Sequence, residues 1–311
     1  VEVSPKEGTF MKILVLRFSA LGDTVMTAWT VTALKNALPS SQITWAVQPR
    51  CAPLISPRLA DAVVVPRDRG NKGSVFGMLK MALNLRRQRF DFGLDFQGHA
   101  KTAIVLKLAA PKRRLVLRAT DGFTALISPP TPAPDDLLHI VEREAWLARQ
   151  ITPIALPDRP MMPETPRLEP KDARPLVTVQ MGAGWPGKAY PPEKMNQVIR
   201  GLTAEGCRVI ALGGPQDPYP DSGENLVGQT NIAQTLSLLR LSHAHVAPDT
   251  GTGHMASALG VPLVSIFGPE DPAKCRPWGE GVKLLKEGRK TADVRPDQVI
   301  EAVIPHLRRS S

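Results

Sequence analysis

Residues 244–267 read AHVAPDTGTGHMASALGVPLVSIF, and their order decides the local fold. A short apolar run, Ala244–Ala247, ends in Pro248-Asp249. A turn of small residues follows, then a helical pattern over Gly253–Leu259, then a second apolar run over Leu263–Phe267. Continuous apolar strands on either side of a helix belong to a parallel sheet covered on both faces. The turn delivers a helix N-terminus to the carboxyl edge of a strand. There the hydroxyls and N–H groups of Thr250, Gly251, Thr252 and Gly253 converge on an anion, and His254 adds a donor that can carry charge. These residues favour phosphate; a structural histidine is the alternative.

The same alternation runs through the preceding sequence. Just before this stretch the pattern predicts strands at Leu176–Gln180 and Arg208–Leu212, and helices at Glu193–Ala204 and Ile232–Leu241. Toward the N-terminus it predicts strands at Lys12–Leu16, Ile43–Val47, Ala62–Val65, Phe92–Phe96 and Leu115–Leu117. Helices are predicted at about Asp23–Leu38, Ser74–Arg89, His99–Ala109 and Asp136–Gln150. Between the two series lies PDRPMMPETPRLEP, residues 157–170, too rich in proline to continue a helix. The predicted organisation is an extension at 1–10, a domain at 11–156, a linker at 157–175 and a second domain at 176–292. A last helix near Pro296–Arg308, within 293–311, is expected to pack back on the first domain. The fold class is α/β, two Rossmann-like doubly wound domains facing across a cleft.

The chain of 311 residues is long enough for two cores. It has no apolar run of transmembrane length, and residues 1–10 lack the hydrophobic centre of a signal peptide, so a cytoplasmic protein is expected. Cys51, Cys207 and Cys275 have no C-x-x-C spacing, which argues against a disulfide framework or a zinc site. Net charge is +10. Fifteen Lys and Arg lie between Arg50 and Arg118, a density that suits a polyanionic substrate or an anionic membrane face, or that simply keeps the protein in solution. Aromatic residues are 5% and do not interleave with the basic ones, so nucleic acid is not an expected partner.

Residues 182–189, GAGWPGKA, come close to two phosphate motifs. The P-loop pattern fails at its last position, where Ala189 replaces the metal-binding hydroxyl, and Pro191-Pro192 delay the helix. The dinucleotide fingerprint fails because no helix starts within Gly182, Gly184 and Gly187 and no acid closes the next strand at the right distance. A structural glycine turn remains, with Lys188 either solvated or facing an anion. After the first strand, Asp23 in RFSALGDTVMT is either a helix-capping carboxylate or a general base at the strand edge.

Three stretches together resemble the ADP-heptose:lipopolysaccharide heptosyltransferases of glycosyltransferase family 9. They are Leu-Gly-Asp23-x-x-x-Thr27, Asp95-Phe-Gln-Gly98-His-Ala-Lys101-Thr102, and Asp249-Thr-Gly-x-x-His254 with Phe-Gly-Pro-x-Asp-Pro272. The resemblance runs from about Met11 to Gly279 and implies a GT-B fold, with the acceptor in the N-terminal domain and the nucleotide-sugar donor in the C-terminal one. It makes Asp23 the catalytic base. It assigns Lys188, Asp249, Thr250, Gly251, Gly253 and His254 to the donor, Gln216 (with Asp217 beside it) to the ribose and Thr230 to the adenine pocket. Arg17 and Lys101 then line the acceptor side. The acceptor it implies is an anionic, Kdo-containing glycolipid at the inner membrane face. No separate cofactor is expected, and the absence of a D-x-D triplet suits metal-independent chemistry. A GT-B enzyme using another nucleotide sugar, or a non-catalytic nucleotide-binding protein, are the alternatives.

Overall fold

A computed structural model describes residues 10–64, 72–134 and 137–307. Residues 1–9 of the expected extension, Val65 and Asp136 lie outside the described residues. The chain divides into two compact units, Val1–Pro163 and Glu164–Ser311, with the division inside the proline-rich passage.

The first unit is built from β1 (Lys12–Leu16), α1 (Leu21–Ala37), β2 (Gln42–Val47), β3 (Asp61–Val64), α2 (Lys72–Arg87), β4 (Phe92–Asp95), α3 (Ala100–Ala109), β5 (Arg113–Val116), α4 (Gly122–Ile127) and α5 (Ile140–Arg149). Its five strands are all parallel in the order β3-β2-β1-β4-β5. Successive strand side chains point to opposite faces, so β1 feeds two cores. Ile13 and Val15 pack with Val31 and Leu34 of α1 and Ala145 and Ala148 of α5. Leu14 and Leu16 pack with Met81 and Leu85 of α2 and Leu106 of α3. Helix α1 is buried without interruption from Thr24 to Leu34, because it lies between the sheet and α5.

The second unit follows with β6 (Leu176–Gln180), α6 (Pro192–Ala204), β7 (Arg208–Leu212), β8 (Glu224–Asn225), α7 (Ile232–Leu241), β9 (Ala244–Pro248), α8 (Gly251–Leu259), β10 (Leu263–Ile266), α9 (Pro272–Cys275), β11 (Val282–Leu285) and α10 (Pro296–Leu307). Its parallel sheet has the order β11-β10-β9-β6-β7-β8, which is the doubly wound order of the first unit with one more strand. Local chemistry sets the helix ends. Pro192 opens α6 with a fixed φ. At α7, Asn231 Oδ1 accepts the Gln234 N–H while Gln234 Oε1 accepts the Asn231 N–H, each at 2.9 Å. Helix α8 starts two residues earlier than the sequence pattern predicts, since extended Thr250 serves as its N-cap.

One difference from expectation has a physical cause. Strands β8 and β11 are short, partly polar edge strands and carry little apolar signal. Helix α10 packs against its own unit. Val299 and Val303 enter the core formed by β6, β7, β9 and α6, and the helix contacts α6, β9 and β10. Among the described residues no helix is long and apolar enough to cross a membrane.

His245 on β9 is fully buried, with Nδ1 against the Thr178 hydroxyl (2.9 Å) and carbonyl (3.1 Å). Burial depresses its pKa from 6.5 to about 4. Between those values the unfolded chain holds a proton that the native state has released, so stability falls as pH falls through this window. His245→Asn is expected to flatten that acid-side slope by up to ~1.4 kcal/mol per pH unit. Urea titrations at several pH values from 6.5 to 4 check this; an unchanged slope contradicts a neutral buried His245.

Candidate active site

In a doubly wound sheet the crevice opens where two neighbouring strands send their connections to opposite sides. In the second unit that point lies between β6 and β9. The chain leaves β9 through Asp249 and enters α8, whose first-turn N–H groups have no intrahelical acceptor and no side-chain cap. Asp249 is buried, and an ammonium and an imidazole converge on it. Lys188 Nζ lies 2.6 Å from Oδ2, and His254 Nε2 lies 3.6 Å from Oδ1. Glu270 Oε1 is a second partner of Lys188 at 3.6 Å.

Burial pushes the Asp249 carboxyl up, but His254 and Lys188 more than offset it, and the net shift is down. Burial likewise opposes the charge on Lys188, but the hydrogen bond and charge of Asp249, with Glu270, raise its pKa overall. The site therefore keeps a carboxylate and an ammonium at neutral pH. Among the described residues His254 Nδ1 has no hydrogen-bond partner although it is buried.

GAGWPGKA forms a loop with one 3-10 turn over Pro186–Lys188, which turns Lys188 toward Asp249. Two of its glycines closely approach side chains. A Cβ on Gly182 would stand 2.1 Å from the Asp217 carboxyl carbon, and one on Gly187 would strike the Trp185 ring. This is neither a P-loop nor a dinucleotide turn, because α6 begins only at Pro192.

A polar chain missing from the sequence reading ties the strand ends together. Thr252 Oγ1 donates to Gln180 Oε1 (3.1 Å), Gln180 Nε2 donates to Asp217 Oδ2 (3.1 Å), and the Gly214 N–H donates to the same oxygen (2.7 Å). Of the pair considered for the ribose, Asp217 is the one held inward, while Gln216 is exposed. Thr230 stands just before α7, accepting a bond from Thr235. Thr250, Gly251 and Gly253 open α8 directly beside it.

The first unit repeats the arrangement between β1 and β4. Asp95 closes β4, and its Oδ1 accepts the N–H groups of Gln97 and Gly98 at 2.9 Å. Gln97 Oε1 accepts the Phe18 N–H (2.7 Å), which locks the two strand exits together. Arg17 was expected on the acceptor surface, but its side chain is only 2% exposed. Its Nη1 donates to the Phe96 carbonyl (2.7 Å), and its Nη2 lies 3.3 Å from Asp23 Oδ1 and 3.6 Å from Glu144 Oε1. Arg17 thus holds Asp23 in place. Asp23 also accepts the Ala20 N–H (3.1 Å), so it does cap α1, yet its side chain remains 40% exposed. Lys101 lies exposed on the first turn of α3. Arg118, exposed after β5, is electrostatically coupled to both Arg17 and Asp23 and donates to the Gln97 carbonyl.

Glu144 is the residue that sequence reasoning missed. It occupies a core position of α5 in the series Val141, Glu144, Ala145, Ala148, and a carboxylate at an apolar helical position was the available signal. Thr27 donates to its Oε1 (3.0 Å). Burial raises its pKa from 4.5 to about 7, against the pull of Arg17. Among the described residues no group of three or more His, Cys, Asp or Glu is arranged to hold a metal ion.

Between pH 4.5 and about 7 the native state retains a proton on Glu144 that the unfolded chain has lost, so this group lowers stability as pH rises. Glu144→Gln is expected to remove that decline, by up to ~1.4 kcal/mol per pH unit, opposite in sign to the His245 effect. Denaturant midpoints of the variant and the parent at pH 5, 6 and 7 provide the check. Parallel curves contradict the assignment.

A family model described as glycosyltransferase family 9 (heptosyltransferase) matches residues 78–302, which takes in Lys101, Lys188 and Asp249–His254. The chain is 24% identical over 316 residues to lipopolysaccharide heptosyltransferase 2 of Escherichia coli K12, covering 89% of this chain and 88% of that protein. Among solved structures, E. coli ADP-heptose lps heptosyltransferase II is similar with a TM-score of 0.78 at 23% identity, over 96% of this chain and 98% of that one. E. coli heptosyltransferase WaaC with ADP gives 0.78 at 18% identity, over 95% and 100%. With two Rossmann-like units of shared fold and a family match over most of its length, the chain is a GT-B transferase enzyme and belongs to glycosyltransferase family 9.

Proposed function

We propose that the protein transfers heptose from ADP-heptose to a hydroxyl of a Kdo-containing lipopolysaccharide inner-core acceptor, with inversion and without a metal bridging the donor phosphates. The observation that carries this reading is the convergence of Lys188 and His254 on Asp249 at the open N-terminus of α8. A sugar diphosphate presents two things to such a site. Its hydroxyls suit an ionised carboxylate, and its phosphates suit an ammonium, an imidazole and free helix N–H groups. Relatives named as lipopolysaccharide heptosyltransferases and a similar fold crystallised with ADP support the choice of nucleotide and sugar.

The chemistry asks for one base and one stabilised leaving group. Asp23 takes the proton of the acceptor hydroxyl as that oxygen attacks the anomeric carbon, and Arg17 fixes the carboxylate's direction. The carbon–oxygen bond to the β-phosphate breaks, and the diphosphate leaves with charge offset by Lys188, His254 and the α8 N-terminus. On the acceptor side, Arg118 and Lys101 meet the phosphates and carboxylates of the glycolipid, which lies at the inner face of the cytoplasmic membrane.

Asp23→Asn is expected to reduce transfer, followed as ADP release, by about 10²–10⁴-fold while ADP affinity stays unchanged. Near-parental turnover removes Asp23 as the base. Lys188→Ala is expected to weaken ADP-heptose binding by about 10–100-fold, the worth of a charge-assisted hydrogen bond. Unchanged donor affinity in calorimetry takes Lys188 out of the site. Thermal-shift measurements against ADP-, UDP-, GDP- and CDP-sugars test the base, and stabilisation by a non-adenine donor alone favours another member of the same transferase class.

A further inference from the structure

We propose that the outer surface of α2, α3 and α4 is a membrane-docking face that seats the first unit on an anionic bilayer. Of the eleven large hydrophobic side chains exposed among the described residues, six lie on these three helices. Helix α2 has two apolar faces. Met81, Ala82 and Leu85 point into the core. Phe76, Leu79 and Leu83, at helical spacing on the opposite side, are exposed, Phe76 by 70%. Lys80 and Arg87 lie along the same outer stripe. On α3 the exposed Ile104 stands between exposed Lys101 and Lys107, one turn away on either side. On α4 Phe123 is 57% and Leu126 82% exposed. Helix α3 packs against both α2 and α4, and α2 and α3 cover the same face of the sheet, so their outer faces are contiguous.

Charge selects the occupant. Residues 72–127 hold eleven Lys and Arg against three Asp and Glu, a net +8 of the whole chain's +10. A second copy would bring the same positive surface against itself. Nucleic acid would want stacking platforms, and the stripe is mostly aliphatic. An anionic bilayer meets both requirements. Phe and Leu enter the headgroup–acyl boundary, and the lysines and arginines reach lipid phosphates around them. The docking face rests on the reading of the acceptor as a membrane glycolipid, because it brings the first unit to the surface where that substrate is embedded.

The test is co-sedimentation of the full chain with vesicles of phosphatidylglycerol and phosphatidylethanolamine, and with phosphatidylcholine vesicles as the neutral comparison. The parent is expected to bind the anionic vesicles and to be released by salt. The triple variant Phe76→Ser, Phe123→Ser, Leu126→Ser is expected to lose at least about tenfold in partitioning with its thermal midpoint and ADP affinity retained. Tyr219→Ser, an exposed aromatic of the other unit, is expected to bind as the parent does. Parent protein that ignores anionic vesicles overturns the proposal, as does a triple variant that binds equally well. So does a concentration-dependent dimer that the triple variant loses. Transfer to a delipidated core oligosaccharide separates this proposal from the catalytic one. The triple variant should keep the full rate there, and a reduced rate assigns the patch to the acceptor site instead. Absence of transfer by parent and variant alike overturns the proposed heptose transfer to this acceptor and leaves the vesicle result standing.

Discussion

At β1/β4 and again at β6/β9, neighbouring parallel strands send the chain to opposite faces of the sheet, and the gap left at their carboxyl ends is where chemistry becomes available. Asp23, Lys101, Lys188, Asp249 and His254 all follow one of these strand ends. Asp249 leaves β9 and Gln180 ends β6, while Arg17 leaves β1 and Asp95 ends β4. A gap of this kind exposes backbone ends and has to be held open. Each unit does so with side-chain hydrogen bonds across the exits: Gln97 to the Phe18 N–H in the first, and Thr252–Gln180–Asp217 in the second.

The two units then use buried charge differently. In the second, a carboxylate and an ammonium lie 2.6 Å apart, each keeping the other ionised despite burial. Their separation by a ligand is what a sugar diphosphate offers, with oxygens for the lysine and hydroxyls for the aspartate. In the first, one guanidinium serves two carboxylates of unequal exposure. Glu144 is sealed in the core and driven toward its neutral form, while Asp23 stays open to solvent. The buried member anchors the arginine and the exposed one remains available for proton transfer. Removing either carboxylate leaves Arg17 with a partner deficit in a dry environment, which is costly for a buried cation.

Legibility in the sequence followed distance along the chain. The turn Asp249–His254 could be read because strand end, anion-binding N–H groups and histidine are consecutive residues on one strand–helix junction. Rejection of the P-loop also rested on neighbours, Ala189 and the two prolines, and α6 starts where those prolines put it. By contrast, Glu144 meets Arg17 across 127 positions, and nothing local marks the partnership. The same limit applied to Arg17, which the resemblance put on the acceptor side but whose burial depended on α5. It applied to α10 as well, whose apolar stripe is plain but whose partner, α6, had to be found by the fold. Gln216 and Asp217 could not be ranked until Gln180 and Gly214 were placed around the aspartate.

The central claim is a single displacement at the anomeric carbon, with one carboxylate as base and a diphosphate held by Lys188, His254 and a helix N-terminus. Such a step has a stereochemical signature that no rearrangement of the same residues can imitate. The most direct test is the anomeric configuration of the newly formed linkage, read by NMR on product made from ADP-heptose of defined configuration and a core acceptor. The account requires the configuration opposite to that of the donor. A product that retains it would demand a second nucleophile or a different mechanism, and would contradict the assignment of Asp23 as sole base.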